Sequence, residues 1–258
     1  MKINIIIDGY ERKARLFPAL LLIAPVVVTA VAMLSAKLSC LQTFGAALAG
    51  CGGAFLLAQL ARDAGKMGEK ILFEKWGGLP SISILRHRDT RLDPITKTRY
   101  HKMLSLLVKE AKAPTAKQEE VDPAFADSVY AAWSNFLRVN TRDTKKFALL
   151  FQENVSYGYR RNVWGLKSYG IIVSLVSLAA CGVRFYLTQQ SKGNIDEWLL
   201  GASVLDVVFL LLWIFRFTGE WVRVPAEAYA ERLVECTETL AVKASAAKAI
   251  RKAPNQKS

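Results

Sequence analysis

The chain of 258 residues is 52% apolar yet carries 35 Lys and Arg against 22 Asp and Glu, a formal charge of +13, so its polar remainder is strongly basic. Its cysteines, Cys40, Cys51, Cys181 and Cys236, show no C-x-x-C spacing, and with only two histidines they offer no structural metal site. No P-loop, nucleophile elbow, H-E-x-x-H or paired-carboxylate context is present, so neither enzymatic activity nor a cofactor is expected.

Four charge-free hydrophobic runs dominate the rest: Leu16 to Ala36, Leu38 to Ala61, Ser168 to Val183 and Trp198 to Phe215. A run of about 20 apolar residues matches the ~30 Å hydrocarbon core of a bilayer, and a helix is the single-segment structure that satisfies its own backbone there. The expected fold class is an all-α integral membrane protein. Residues 1–15 hold four basic side chains, 62–167 hold 20 and the tail from Arg216 holds eight; the remaining three, Lys37, Arg184 and Lys192, fall in the connections after the first and third runs. The positive-inside rule then puts both termini and the central segment in the cytoplasm and the two connections outside, as in a multi-pass protein of a bacterial inner membrane. The organisation read from this is a cytoplasmic segment 1–15, a transmembrane hairpin 16–61, an inserted cytoplasmic helical domain 62–167, a second hairpin 168–217, and a C-terminal amphipathic helix and tail 218–258. Arg12, Lys13 and Arg15 before an apolar run resemble a signal peptide, but the run is long and a second span follows Lys37 directly, which is a stop-transfer pattern. Cys40 and Cys181 would lie near the outer face; plain apolar packing and a disulfide between hairpins both stay open.

The second span is expected to continue as a helix beyond Ala61 until Trp76-Gly77-Gly78-Leu79-Pro80 breaks it. Asp93-Pro94 supplies an N-cap and a proline at the first helical position, and Tyr100, Met103, Leu104, Leu107 and Val108 follow at helical spacing, to about Ala111. Residues 112–121 mix charge with proline and read as a mobile loop. Asp122-Pro123 repeats the helix-start device ahead of a stripe of Phe125, Val129, Trp133, Phe136 and Leu137, and a third helix over Asp143 to Val155 carries Phe147, Leu150 and Phe151. After the fourth run, Pro225 opens a helix in which Ala226, Leu233 and Leu240 alternate with Tyr229 and Cys236, a weak heptad seam that suits either packing on the domain or self-association.

Several features could carry function. Asp206 lies near the middle of the fourth run, where a carboxylate must face a partner, a water-filled path or the bundle interior. Gly45, Ala49 and Gly53 recur every four residues along the second run and permit close helix packing, within the chain or across a homo-oligomer. Between Arg86 and Lys102 stand Arg86, His87, Arg88, Arg91, Lys97, Arg99, His101 and Lys102, opposed by Asp89 and Asp93. Guanidinium forks suit phosphate oxygens, so this face is a candidate nucleotide or nucleic-acid site; a solvated face and attraction to anionic lipid are the alternatives. Arg160 and Arg161, beside Tyr157, Tyr159 and Trp164, read as an interfacial anchor or as a second part of that site. His87-Arg88-Asp89 matches a kinase triplet in letters only.

The stretches EKWGGLPSISILRHRDTRLDPITKTRYHK (Glu74 to Lys102) and ENVSYGYRRNVWGLK (Glu153 to Lys167), about a sixth of the chain, resemble those of bacterial membrane proteins of anti-phage defence. The architecture is similar to the Hailong-type transmembrane effector. That resemblance implies an oligomeric channel held shut by short DNA oligomers, which a partner nucleotidyltransferase makes, and opened when infection removes them. The expected function is thus a homo-oligomeric membrane effector, an ion channel or pore gated by a nucleotide or short oligonucleotide on its basic domain. The alternative is a non-conducting membrane scaffold that recruits a soluble partner, and a small transporter ranks last.

Overall fold

A computed structural model describes residues 9–33, 52–191 and 196–252, with side chains as far as residue 245. Gly45 and Ala49, most of the second hydrophobic run, and Lys37, Cys40, Cys51 and Lys192 lie outside the described residues. Among the described residues every regular element is helical.

The first element begins with a short turn, Gly9–Glu11, and a π-helical turn, Arg12–Leu16, before helix α1, Phe17–Met33. Pro18 explains the π turn. It has no N–H to offer the Ala14 carbonyl four residues back, and its ring crowds that oxygen. The backbone widens instead, and the Phe17 N–H reaches the carbonyl of Arg12.

Helix α2, Gly53–Lys75, carries the second run on past Ala61 and stops at Gly77 and Gly78, whose φ angles of 73° and 131° favour glycine. Short helix α3, Pro80–Ser83, leads to α4, Pro94–Leu107, where the Asp93 carboxylate accepts from the Thr96 N–H at 2.9 Å. Helix α4 ends four residues before Ala111. Trp133 Nε1 donates to the Ala111 carbonyl at 2.9 Å and the Ala113 N–H donates to Ser105 Oγ at 2.9 Å, which draws the chain out of the helix. The expectation of a mobile loop over 112–121 is corrected: Thr115 and Gln118 form a capping box that starts α5, Ala116–Val121. Helix α6, Pro123–Asn140, is capped by Asp122 as expected, but Phe125 is exposed rather than in the core.

Helix α7, Ala148–Gly165, runs ten residues beyond the expected end at Val155, through Tyr157, Gly158 and Tyr159. Helix α8, Lys167–Gln190, continues through Arg184, which is therefore an exposed helical residue and not part of a connection. Helix α9, Glu197–Leu211, ends in a second π turn, Leu212–Arg216, with the Phe217 N–H bonded to the Leu212 carbonyl. Helix α10, Gly219–Lys252, starts six residues before Pro225.

The chain divides into two compact units, Met1–Lys70 with Val155–Arg223, and Ile71–Asn154 with Val224–Ser258. In the first, Arg12–Met33, Lys167–Gln190 and Glu197–Arg216, of 22, 24 and 20 residues, are long and apolar enough to cross a membrane. Helices α1, α8 and α9 pack on one another. Their outward sides are apolar, with Val204 62% and Val176 61% exposed, while most buried positions are small or polar, among them Ala19, Thr29, Ala32, Ser174, Ser177, Cys181, Ala202 and Asp206, beside the larger Leu199 and Trp213. That inversion suits lipid as the surrounding solvent. In the second unit, Leu85, Leu104, Tyr130, Trp133, Leu137 and Leu150 form the core together with Ala230, Leu233, Val234, Cys236 and Leu240 of α10. The heptad seam, through Leu240, is thus used for packing within the unit.

Glycine permits a close backbone-to-backbone contact in the first unit: a Cβ on Gly165 would lie 2.5 Å from the Ala64 carbonyl atoms and 2.6 Å from the Gly65 nitrogen. Backbone cannot yield as a side chain can, so Gly165→Ala costs about 1–3 kcal/mol. Gly182, inside α8, where an added Cβ would meet nothing within 4 Å, is the control, and Gly182→Ala keeps or slightly raises the thermal midpoint of the detergent-solubilised chain. Equal midpoints for both variants would contradict this packing.

Candidate functional site

Inside the first unit, Asp206 is 0% exposed and sits where α1, α8 and α9 meet. Thr29 Oγ1 donates to Asp206 Oδ2 at 2.7 Å, and Cys181 Sγ lies 4.0 Å from that oxygen and 3.7 Å from Thr29 Oγ1. One hydroxyl, one thiol and one carboxylate, each from a different candidate span, form a polar contact in an apolar bundle. Among the described residues Asp206 Oδ1 has no hydrogen-bond partner, and neither do Ser177 Oγ and Trp213 Nε1. Orphaned buried polar atoms of this kind are uncommon, and each calls for a partner or a role. Asp206 was legible from the sequence; Thr29 and Cys181 were not, because a hydroxyl and a thiol in a hydrophobic run read as ordinary helix packing. Gly53 is buried in α2.

Arg160 and Arg161 turn inward on the same unit. Arg160 Nη1 donates to the Trp221 carbonyl at 3.0 Å, and its guanidinium lies 5.1 Å from the Trp221 ring centroid. Pro225 leaves that carbonyl without its helical donor, which is the physical reason for the contact. Buried Arg161 pairs with Glu69 at 2.6 Å and donates twice to Asn162 Oδ1. Burial works to raise the Glu69 carboxyl, but Arg161 and Lys66 hold it below its ordinary value.

In the second unit the basic stretch gathers as expected, but most of its charge is used by the chain itself. Arg86 makes a bidentate pair with Asp127, Nε to Oδ1 at 2.8 Å and Nη2 to Oδ2 at 2.7 Å, and donates to the Gly77 carbonyl. Arg91 forks onto Asp89 and reaches Ser83 Oγ, while Arg99 meets Glu238 of α10 at 2.6 Å. Lys97, only 5% exposed, donates to the carbonyls of Arg86, His87 and Asp89. His101 Nε2 contacts the Leu85 carbonyl at 2.7 Å and His87 Nε2 the Pro114 carbonyl at 2.8 Å. From the other side, buried Glu119 accepts from the His87 N–H and from the Tyr130 hydroxyl. Three side chains thereby fix the backbone of residues 85–89. Glu119 escaped sequence reasoning, though the T-x-x-Q capping signature beside it was there to be read.

Arg88 and Lys102 are exposed, and among the described residues neither side chain meets a carboxylate. Lys109 and Lys112 are likewise exposed along a groove of about 500 Å³ that Phe125 and Val129 also line. What remains available to an anion is this outer set rather than the guanidinium forks of Arg86 and Arg91. Among the described residues no three His, Cys, Asp or Glu side chains gather as metal ligands. No family model, no curated protein and no solved structure matches the chain.

Burial lowers the His101 imidazole from its ordinary 6.5 to about 4, and Lys97 and His87 push it the same way. The folded unit keeps His101 neutral, whereas the unfolded chain takes up a proton below 6.5, so stability is whole above that pH and declines as pH falls toward 4. The slope is about 1.4 kcal/mol per pH unit for this one group. Burial works to raise half-buried Asp89 and buried Glu119, but hydrogen bonds hold both carboxyls low, and their contribution is lost only beneath their ordinary values of 3.8 and 4.5. Urea unfolding of the full chain, followed by tryptophan fluorescence from about pH 7 to about pH 5, will show the decline, and His101→Gln will flatten it. An unchanged slope in the variant would remove His101 as its source.

Proposed function

We propose that the chain is a homo-oligomeric, multi-pass effector of the bacterial inner membrane. Its four hydrophobic runs pair as two hairpins, and the helical domain and both termini lie in the cytoplasm. Its spans form a regulated ion pathway, and a nucleotide or short oligonucleotide, made by a partner nucleotidyltransferase, binds the basic domain and biases the spans between closed and open arrangements. The observation that carries the reading is the Asp206 carboxylate, fully buried among candidate spans with one oxygen unpartnered. An ionisable group in that position costs several kcal/mol, and pathways are where such groups are retained. The ligand meets Arg88, Lys102, Lys109 and Lys112, because the stronger forks of Arg86, Arg91 and Arg99 already hold carboxylates. The similarity of Glu74 to Lys102 and Glu153 to Lys167 to anti-phage membrane effectors points to the same role.

A second reading is favoured by that same internal use of charge. A domain that satisfies most of its own cations suits a non-conducting scaffold that recruits a soluble partner. Ion flux from liposomes reconstituted with the purified chain, with and without short DNA, separates the two. The effector reading expects DNA-dependent flux that Asp206→Asn changes by about tenfold, in line with the cost of an intramembrane charge. Flux indifferent to every oligonucleotide and equal in the variant leaves the scaffold. Reversal of Arg88 and Lys102 to glutamate abolishes DNA binding under the first reading and only partner capture under the second.

A further inference from the structure

Two of the candidate spans each carry a pair of exposed aromatic residues that brackets an apolar stretch. The pairs are Tyr169 and Tyr186 along α8, and Trp198 and Phe215 along α9 and the π turn that ends it, each residue between 59% and 73% exposed. Both pairs are the same number of positions apart, about 25 Å at the rise of an α-helix. Between the brackets the exposed side chains, Ile172, Val176, Val204, Leu205 and Val208 among them, are apolar except for Arg184. Arg184 stands within a turn of Tyr186, where a long cation reaches out of an apolar layer. Aromatic rings at the two edges of such a band mark the levels of lipid headgroups.

The two edges differ in charge. Exposed Asp196 and Glu197 stand beside Trp198 at one of them. At the other, Lys167 Nζ donates to the Ile214 carbonyl at 2.9 Å, so the start of α8 lies against the residue before Phe215. Exposed Arg216 follows Phe215 directly, and its guanidinium lies 5.1 Å from the centroid of the Trp221 ring. Asn162 Nδ2 donates to the Ala14 carbonyl at 2.7 Å, which brings exposed Arg12 and Lys13 to this edge as well.

Arg216 is held differently from the other arginines of the chain. Arg86, Arg91 and Arg161 give in-plane N–H groups to carboxylates, and Arg160 gives one to the Trp221 carbonyl. Attraction to the face of an indole uses none of those donors. Among the described residues Arg216 meets no carboxylate, and Glu220, the nearest acid along the chain, pairs with Arg223 at 3.7 Å. A guanidinium steadied by a ring and open along its donor edge suits phosphate oxygens. Its neighbours Phe215 and Leu211, 71% and 48% exposed, suit hydrocarbon, so the ligand that fits joins a phosphate to apolar chains.

We propose that Arg216, with Lys167 beside it, binds the phosphodiester of an anionic phospholipid whose acyl chains lie along Phe215 and Leu211. The site rests on α8 and α9 crossing lipid, and it requires neither ion conduction nor a nucleotide on the second unit. A zwitterionic lipid brings its own ammonium to a cationic edge and is held less well.

Native mass spectrometry of the full chain, released from nanodiscs of equal phosphatidylglycerol and phosphatidylcholine, tests it. The chain retains phosphatidylglycerol in preference, and Arg216→Gln lowers that preference by about tenfold, the worth of a hydrogen bond to a charged group in population terms. Arg216→Lys, which keeps the charge, lowers it less, and Arg184→Gln, at the opposite edge, leaves it unchanged. Millimolar inorganic phosphate displaces no lipid. Equal retention of the two lipids, an undiminished preference in Arg216→Gln, or displacement by phosphate would overturn the site. In the same nanodiscs, phosphatidylcholine brominated on its acyl chains quenches the fluorescence of the parent chain more than that of Trp198→Phe. Quenching without lipid preference removes the phosphate site alone, whereas equal quenching of parent and Trp198→Phe removes the lipid-crossing helices and the site with them.

Discussion

A backbone carbonyl that its own helix cannot satisfy must find a donor elsewhere, and a side chain packed beside it supplies one where water has little access. Prolines in and beside the long helices create that need at the Ala14 and Trp221 carbonyls, and a helix end creates it at Ile214. Arg160, Asn162 and Lys167, close together along one short stretch of chain, answer all three. Close backbone approach serves one of the three: Gly65, which also lies against Gly165, leaves the space that the Asn162 side chain fills.

The second unit solves a different problem. Its sequence is rich in cations, and the basic stretch read as a candidate phosphate-binding face, with a solvated face and lipid attraction as the alternatives. The turn between α3 and α4 lies outside any helix, so Lys97, His101 and Glu119 are drawn inward to hold it. Charge written in a sequence and charge offered to a ligand are different quantities, and partner carboxylates such as Asp127 and Glu238 lie too far along the chain to be seen from spacing.

Legibility followed the range of the forces involved. Hydrophobic length announced the candidate spans, and the Asp-Pro pairs at 93–94 and 122–123 placed two helix starts correctly, because caps act within four residues. The end of α4 was misplaced because Trp133, 22 residues away, takes the Ala111 carbonyl. Asp206 was conspicuous because a carboxylate in an apolar run has no local excuse; its partners on two other helices became visible only with packing. Arg160 and Arg161 looked like headgroup anchors by composition, and the proline that redirects Arg160 to a carbonyl sits dozens of residues off.

Lys97 has a consequence of its own. Loops that fold their carbonyls inward often do so around a bound potassium or sodium ion, and they loosen when that ion is diluted away. Here the ammonium among the carbonyls of Arg86, His87 and Asp89 is attached to the chain by its own methylene stem. The turn keeps its counter-charge at a fixed stoichiometry in any ionic medium, and the shape it lends to Arg88 does not depend on the salt composition of the compartment it faces.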